Sequence, residues 1–291
     1  MRRVLVGTAT AVAVIAVPVG ATAALLSTPL FAEGGTVQGG DLPTAERGAQ
    51  VADEGEGQAM RPVANLQYDR SGEAQAGSDI EFVRVGERDF ALAGTLRKGM
   101  QIVNISDPRE PRRVAVYDCA ITQGDVQVWD KGERILASYT ADSTFGAAGA
   151  ASQCAEDLDL DSSAAGTVIV DITRPAAPRT VGFAPVDRGS HNMTVHPSGN
   201  YLYNSNSDLI TSTQPSIDVF DIRRPAHPRQ VADLPIPFVP ASLGSESHDI
   251  AFNEAGTRAY SAALSQQVVL DTSDPADPEI VSSFTDPAIN V

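Results

Sequence analysis

The chain repeats itself four times, and a period shared by strands and turns limits the possible folds more than any composition can. Asp79, Asp125, Asn192 and Asp249 are each followed by an apolar residue (Ile80, Val126, Met193, Ile250) and each precedes a glycine by seven positions (Gly86, Gly132, Gly199, Gly256). Four positions beyond the glycines stand Phe90, Leu136, Tyr203 and Tyr260. Runs such as Ile80-Glu81-Phe82 and Val126-Gln127-Val128 alternate with period two, so each copy opens with two strands joined at a glycine turn. A second set of columns follows. Ile102-Val103-Asn104, Ile169-Val170-Asp171, Val219-Phe220-Asp221 and Val269-Leu270-Asp271 each run into a Pro-x-x-Pro turn, beginning at Pro108, Pro175, Pro225 and Pro275. Val114, Val181, Val231 and Val281 then open another apolar stretch. Proline has no amide to give to a ladder, so these pairs lie between strands, which makes four strands per copy.

The first prolines, at 108, 175, 225 and 275, are 67, 50 and 50 residues apart, a unit near 50 with one insertion. Four short strands in a unit of that length predict an all-β fold, a β-propeller of four-stranded blades at about 79–118, 125–186, 192–238 and 249–284. A β-sandwich would give no reason for four superimposable units. Pro62 to Tyr68 reads as a lone outer strand of the kind that closes a ring. The fourth copy already has its own outer strand, Glu279 to Phe284, so the ring is expected to be incomplete in these four copies and to continue with further blades.

The segment Thr167-Val168-Ile169-Val170-Asp171-Ile172-Thr173-Arg174-Pro175-Ala176-Ala177-Pro178 resembles the LVIVD repeat. Gln101 to Pro111, Ile217 to Pro228 and Gln267 to Pro278 match it more loosely. The resemblance spans about Val63 to Phe284 and implies an exported bacterial propeller, a family that brings no agreed catalytic residues.

The ends and the charge bound the compartment and the partners. Arg2 and Arg3 precede 23 uncharged residues, Val4 to Leu26, the pattern of a secretory signal, with an uncleaved anchor as its rival. Pro18, Gly20 and the small-x-small triplet Ala21-Thr22-Ala23 favour cleavage, so residues 1–26 are expected to direct export and any membrane contact to run through them alone. Residues 27–60, rich in Gly, Ala, Glu and Thr, read as a flexible linker ahead of a propeller over 61–291. The only cysteines, Cys119 and Cys154, are expected to form a disulfide in an oxidising compartment. A net charge of −16 repels phosphate backbones and argues against nucleic acid as a partner.

Function is expected on one rim. The turns between first and second strands and those between third and fourth share a rim and look uniform. From hairpin glycine to third-strand Asp or Asn, at 86–104, 132–171, 199–221 and 256–271, the opposite rim varies widely in length, and adaptable loops on a rigid scaffold carry binding sites. His191 and His248 precede equivalent columns of adjacent blades and are expected to face one opening. Asp79, Asp125, Asn192 and Asp249 read first as acceptors for loop amides. Their functional alternative is a ring of oxygen ligands for Ca²⁺ or another divalent cation. Two histidines alone fall short of a zinc site. The run Asp157, Asp159, Asp161 lacks the glycine and glutamate of a calcium loop and reads as a solvated acidic loop, and His196 and His227 fall on the uniform rim. No nucleophile elbow, phosphate loop or His-Glu-x-x-His motif is present. The expectation is an exported binding scaffold at the cell envelope whose variable rim takes a protein or a glycan. The alternative is a metal-assisted hydrolase of the propeller lactonase kind using His191, His248 and Asp249.

Overall fold

The computed structural model describes residues 62–66, 77–240 and 242–285, so the expected signal segment and linker lie outside the described residues. Among the described residues sixteen strands form four antiparallel sheets of four, each in simple sequential order. The first sheet is β1 (Gly77–Val85), β2 (Arg88–Thr95), β3 (Met100–Asn104) and β4 (Arg112–Tyr117). The second is β5 (Val126–Lys131), β6 (Arg134–Ala141), β7 (Gly166–Asp171) and β8 (Arg179–Pro185). The third is β9 (Ser190–Val195), β10 (Tyr201–Asn206), β11 (Ser216–Asp221) and β12 (Arg229–Pro235), and the fourth β13 (Asp249–Phe252), β14 (Arg258–Ala263), β15 (Gln266–Asp271) and β16 (Glu279–Phe284). The inner strands β1, β5, β9 and β13 are spatial neighbours in that order, which is the arrangement of propeller blades. Residues 62–66 join no ladder, and positions 67 and 68 of the expected closing strand lie outside the described residues.

The core lies between blades. Leu92, Ile102, Val126, Tyr139 and Val168 pack in one cluster, Leu136, Ile169, Met193, Leu202 and Phe220 in the next, and Tyr203, Val219, Ile250, Val268 and Leu270 in the third. Each cluster draws on two successive sheets, so a blade buries its faces only against its neighbours. Among the described residues of the first and fourth blades, Ile80 and Phe82 are 52% and 62% exposed on β1 and every residue of β16 is exposed.

The third-strand Asp or Asn has the same task in every blade. Asn104, Asp171, Asp221 and Asp271 accept the amide two residues on, from Ser106, Thr173, Arg223 and Ser273, at 2.9–3.0 Å. These side chains turn the backbone out of the ladder just ahead of the prolines. A bulge recurs one step earlier, at Ile102/Val103, Ile169/Val170, Val219/Phe220 and Val269/Leu270, and it adds twist to each outer strand.

The glycine turns are less uniform than expected. Val85 pairs with Arg88 and Lys131 with Arg134, giving two-residue turns, whereas Val195 pairs with Leu202 and Phe252 with Ala259. The longer turns close on themselves, with the Gly199 amide on the His196 carbonyl and the Gly256 amide on the Asn253 carbonyl, so the glycine keeps its column while the register beyond it moves by two. Phe90 and Leu136 therefore oppose Asn104 and Asp171, but Tyr203 and Tyr260 oppose Val219 and Val269. All four glycines have φ between +61° and +68°, the left-handed region that a side chain would resist.

Candidate functional site

The inner column joins blades. The Asp79 carboxylate accepts the Val126 amide at 2.9 Å, and Asp125 accepts the Met193 amide at 3.2 Å, so each blade reaches the inner strand of the next. The donors are strand amides of a neighbouring blade rather than the loop amides expected, because an inner strand keeps one edge free of its own sheet. At the third junction the link changes. Thr194 Oγ1 donates to the Ile250 carbonyl at 2.9 Å, Asp249 takes the Ile250 amide at 2.7 Å, and Asn192 Oδ1 meets Thr194 Oγ1 at 3.5 Å. The column is spread over four inner strands and its oxygens serve these backbone groups. Among the described residues no three His, Cys, Asp or Glu side chains come together as a metal cage, so neither the oxygen ring nor the set His191, His248 and Asp249 is assembled.

The histidines do meet. His191 lies on β9, and His248 immediately precedes β13, its amide fixed by the Ala262 carbonyl at 2.8 Å. Their Nε2 atoms are 3.2 Å apart, with ring centroids at 4.5 Å and planes at 67°. The nitrogens are closer than the ring centres, so the two rings meet at their Nε2 edges. Asp142, just past β6, holds His191 Nδ1 at 2.9 Å, while the Gln123 amide lies at 3.4 Å from the same nitrogen. One nitrogen cannot donate to the carboxylate and accept from the amide together. The shorter, charge-assisted contact prevails, which places the proton on Nδ1 and a lone pair on Nε2. Burial, and then His191 itself, hold the His248 pKa below the usual histidine value, which favours the neutral ring. The serines before both histidines anchor them. Ser190 Oγ receives Thr167 Oγ1 at 2.9 Å, and Ser247 Oγ lies 2.8 Å from both Ser205 Oγ and Ser261 Oγ.

Beside this pair, the variable loops of the third blade close on an arginine. Arg188, between β8 and β9, grips Asp208 through Nε at 3.1 Å and Nη2 at 2.6 Å, and donates to Ser212 at 2.7 Å and Ser216 at 3.1 Å. It also pairs with Glu246, a fully buried carboxylate that accepts the Ser216 amide at 2.9 Å and Asn206 Nδ2 at 3.3 Å. Burial raises the Glu246 carboxyl pKa, and the Ser216 amide and Arg188 draw it back. Asp218 on β11 is pushed up to about 6 by burial and by Asp233 across the ladder. Over this network opens a pocket of about 750 Å³ whose lining includes Asp208, Thr211, Gln214, Asp233 and Phe238.

The long insertion of the second blade folds into two short helices, α1 (Gly146–Ala150) and α2 (Gln153–Leu158). Cys119, in the β4–β5 connection, bonds to Cys154 on α2 across a separation of 35 residues, as expected. The acidic run is solvated, with Asp157, Asp159 and Asp161 all exposed, and it begins on α2 rather than wholly in a loop. Asp157 Oδ2 takes Thr180 Oγ1 at 2.5 Å, Asp159 sits in the left-handed region, and Asp161 caps Ser163 at 2.7 Å. His196 is held by Ser198 Oγ and the Gly256 carbonyl, both at 2.8 Å, a link between two turns of the uniform rim.

Sequence reasoning found the two histidines but missed Asp142, Gln123, Arg188 and Glu246. Asp142 lay within the variable stretch 132–171, while Gln123, Arg188 and Glu246 sit in connections between blades, and a buried charge in a rim loop leaves no pattern of its own.

No family model and no curated protein matches the chain. Among solved structures, the periplasmic gluconolactonase PpgL of Pseudomonas aeruginosa aligns with a TM-score of 0.50 at 12% identity, over 72% of this chain and 58% of that one. A functionally unknown protein from Desulfotomaculum acetoxidans aligns at 0.47 and 15% identity, over 78% and 61%. The Cps50 (Swd1) β-propeller domain of Myceliophteria thermophila aligns at 0.44 and 12%, over 73% and 60%. The chain thus spans about three fifths of the length of each of these structures. The four sheets, the order of their inner strands and the alignment with PpgL make the fold a β-propeller.

Proposed function

We propose that the chain is an exported binding propeller that takes a glycan at the cell envelope through the variable rim of its third blade. The observation that carries this reading is the character of the 750 Å³ pocket. Hydroxyl, amide and carboxylate side chains (Thr211, Ser212, Gln214, Asp208, Asp233) line it beside Phe238, an aromatic ring left 49% exposed. Sugars present both matching surfaces, hydroxyls at their edges and an apolar C–H face that stacks on an aromatic ring. A net charge of −16 favours neutral or cationic glycans over phosphorylated ones. The pocket is held ready by Arg188 and Glu246 beneath it, so little ordering cost falls on the ligand. Export is supported by the N-terminal pattern and by the Cys119–Cys154 disulfide, which persists outside reducing compartments.

The test is titration of the purified chain with neutral envelope polysaccharides and their oligosaccharides. Binding is expected, weakened about tenfold by Phe238→Ala. Absence of binding to every neutral glycan, or equal binding by Phe238→Ala, would remove the reading.

A further inference from the structure

We infer that His191 and His248 form a two-imidazole site for a late first-row divalent transition ion, Cu²⁺ most tightly. This site stands apart from the glycan pocket, whose lining includes neither histidine. Two nitrogens bound to one ion at about 2.0–2.1 Å, at square or tetrahedral angles, lie about 2.9–3.4 Å from each other. The two Nε2 atoms are 3.2 Å apart. Their rings are tilted by 67° rather than stacked, so both in-plane lone pairs are able to point at a common centre.

The surrounding groups match what a ligating imidazole requires. Asp142 fixes the His191 proton on Nδ1, the carboxylate–histidine arrangement that orients a metal-binding ring and raises its basicity. In the absence of metal, His248 Nε2–H is the donor to the His191 lone pair; ligation moves that proton to Nδ1 of the same ring, leaving both imidazoles neutral. Asp142 and Asp249 place negative charge close to His248. His191 is buried and His248 is half-buried, so an ion reaches the pair from the rim on the His248 side.

The chemistry also selects the ion. Among the described residues no third His, Cys, Asp or Glu completes a cage, which removes the three- or four-ligand sites typical of zinc. Calcium and magnesium ask for oxygens. Imidazole suits copper, nickel and zinc, and the Irving–Williams order puts Cu²⁺ first, so Cu²⁺ is held best when only two side chains bind and water fills the remaining positions.

The experiment uses the full-length, untagged chain and Cu²⁺ or Zn²⁺ as the probe. Equilibrium dialysis is expected to give one Cu²⁺ per chain, held more tightly than Zn²⁺, and the Cu²⁺ electron paramagnetic resonance spectrum is expected to show coupling to two imidazole nitrogens. His191→Gln and His248→Gln each abolish that spectrum, Asp142→Asn weakens Cu²⁺ binding about 10–100-fold with the two-nitrogen signature kept, and His227→Ala leaves both unchanged. The native spectrum needs no folded variant, so it decides alone if the glutamine proteins fail to fold. No stoichiometric uptake, a spectrum without two imidazoles, or a signature that survives in folded His191→Gln/His248→Gln protein would each overturn the proposal. Loss of glycan binding would not touch it.

Discussion

The two rims of this propeller hold themselves together by different means. On the uniform rim the stabilising contacts that recur are local, with distant links such as His196 to the Gly256 carbonyl laid over them. Four Asx turns close over two residues, and four glycines at positive φ turn the hairpins. On the variable rim they span long stretches of chain and occur once each: Arg188 to Glu246 across 58 residues, His191 to His248 across 57, Cys119 to Cys154 across 35. The disulfide removes loop entropy from the unfolded chain, worth about 4 kcal/mol for a loop of this length. A rim of local turns is duplicated with its blade. A rim of unique distant contacts can differ from blade to blade, which is where a ligand site can be added without disturbing the scaffold.

The largest expected effect tests that contrast at its most buried point. Arg188→Ala strips Glu246, which is fully buried, of its countercharge and frees the Asp208 and Ser212 loop. Breaking a buried pair from one side costs about 3–5 kcal/mol. Chemical denaturation should show a loss of that size, and Arg188→Ala/Glu246→Gln should recover most of it, since the stranded charge rather than the lost contact dominates. A loss below about 1 kcal/mol would mean that the variable rim is held elsewhere.

A second, pH-dependent effect separates the rims further. The Asp218 carboxyl, with its folded pKa of about 6 against an ordinary 3.8, is raised by burial and by Asp233. A raised carboxyl favours the protonated fold. Its contribution is fully present below about pH 3.8 and is lost as the pH rises through about 6, because the unfolded chain there binds fewer protons. Asp218→Asn removes this loss and keeps an oxygen for Gln230 Nε2, now 2.6 Å from Asp218 Oδ1. The variant should be more stable than the native chain by about 1–3 kcal/mol at pH 8 and nearly equal to it at pH 4. Parallel stability curves for the two proteins would show that Asp218 does not titrate as described.

The same contrast explains how much was legible in the sequence. A contact that closes over two residues writes both partners into one short motif, so Asp171-Ile172-Thr173 before Pro175 announced its turn, and four copies announced the propeller. The hairpin register was only partly legible. Gly86 and Gly199 occupy the same column, yet the residues before Gly199 make a longer turn, and a glycine fixes where the chain bends but not how many residues the bend consumes. At the site, His191 and His248 were visible because each precedes a repeated column. Asp142 lies 49 residues from its histidine and Glu246 58 from its arginine, in loops that no other blade copies. With no period and no short motif, only folding brings such partners together.

The smallest expected effect lies on the uniform rim. Asp171 Oδ1 takes the Thr173 amide at 2.9 Å, and Thr173 Oγ1 takes the Ile135 amide at 3.0 Å, so one side chain sets the turn that positions the next contact. Asp171→Ala removes a single hydrogen bond at a partly exposed turn, and water can solvate the freed amide. The expected loss is about 0.5–1.5 kcal/mol, seen as a fall in Tm of about 2–4 °C per kcal/mol. Asp171→Asn, which keeps the accepting oxygen as Asn104 does in the first blade, should lose less than half as much. If the alanine variant lost as much as Arg188→Ala, the repeated turns would not be the independent, locally sufficient devices that their recurrence implies. Equal losses for alanine and asparagine would assign the effect to the charge at position 171 rather than to the bond that four blades share.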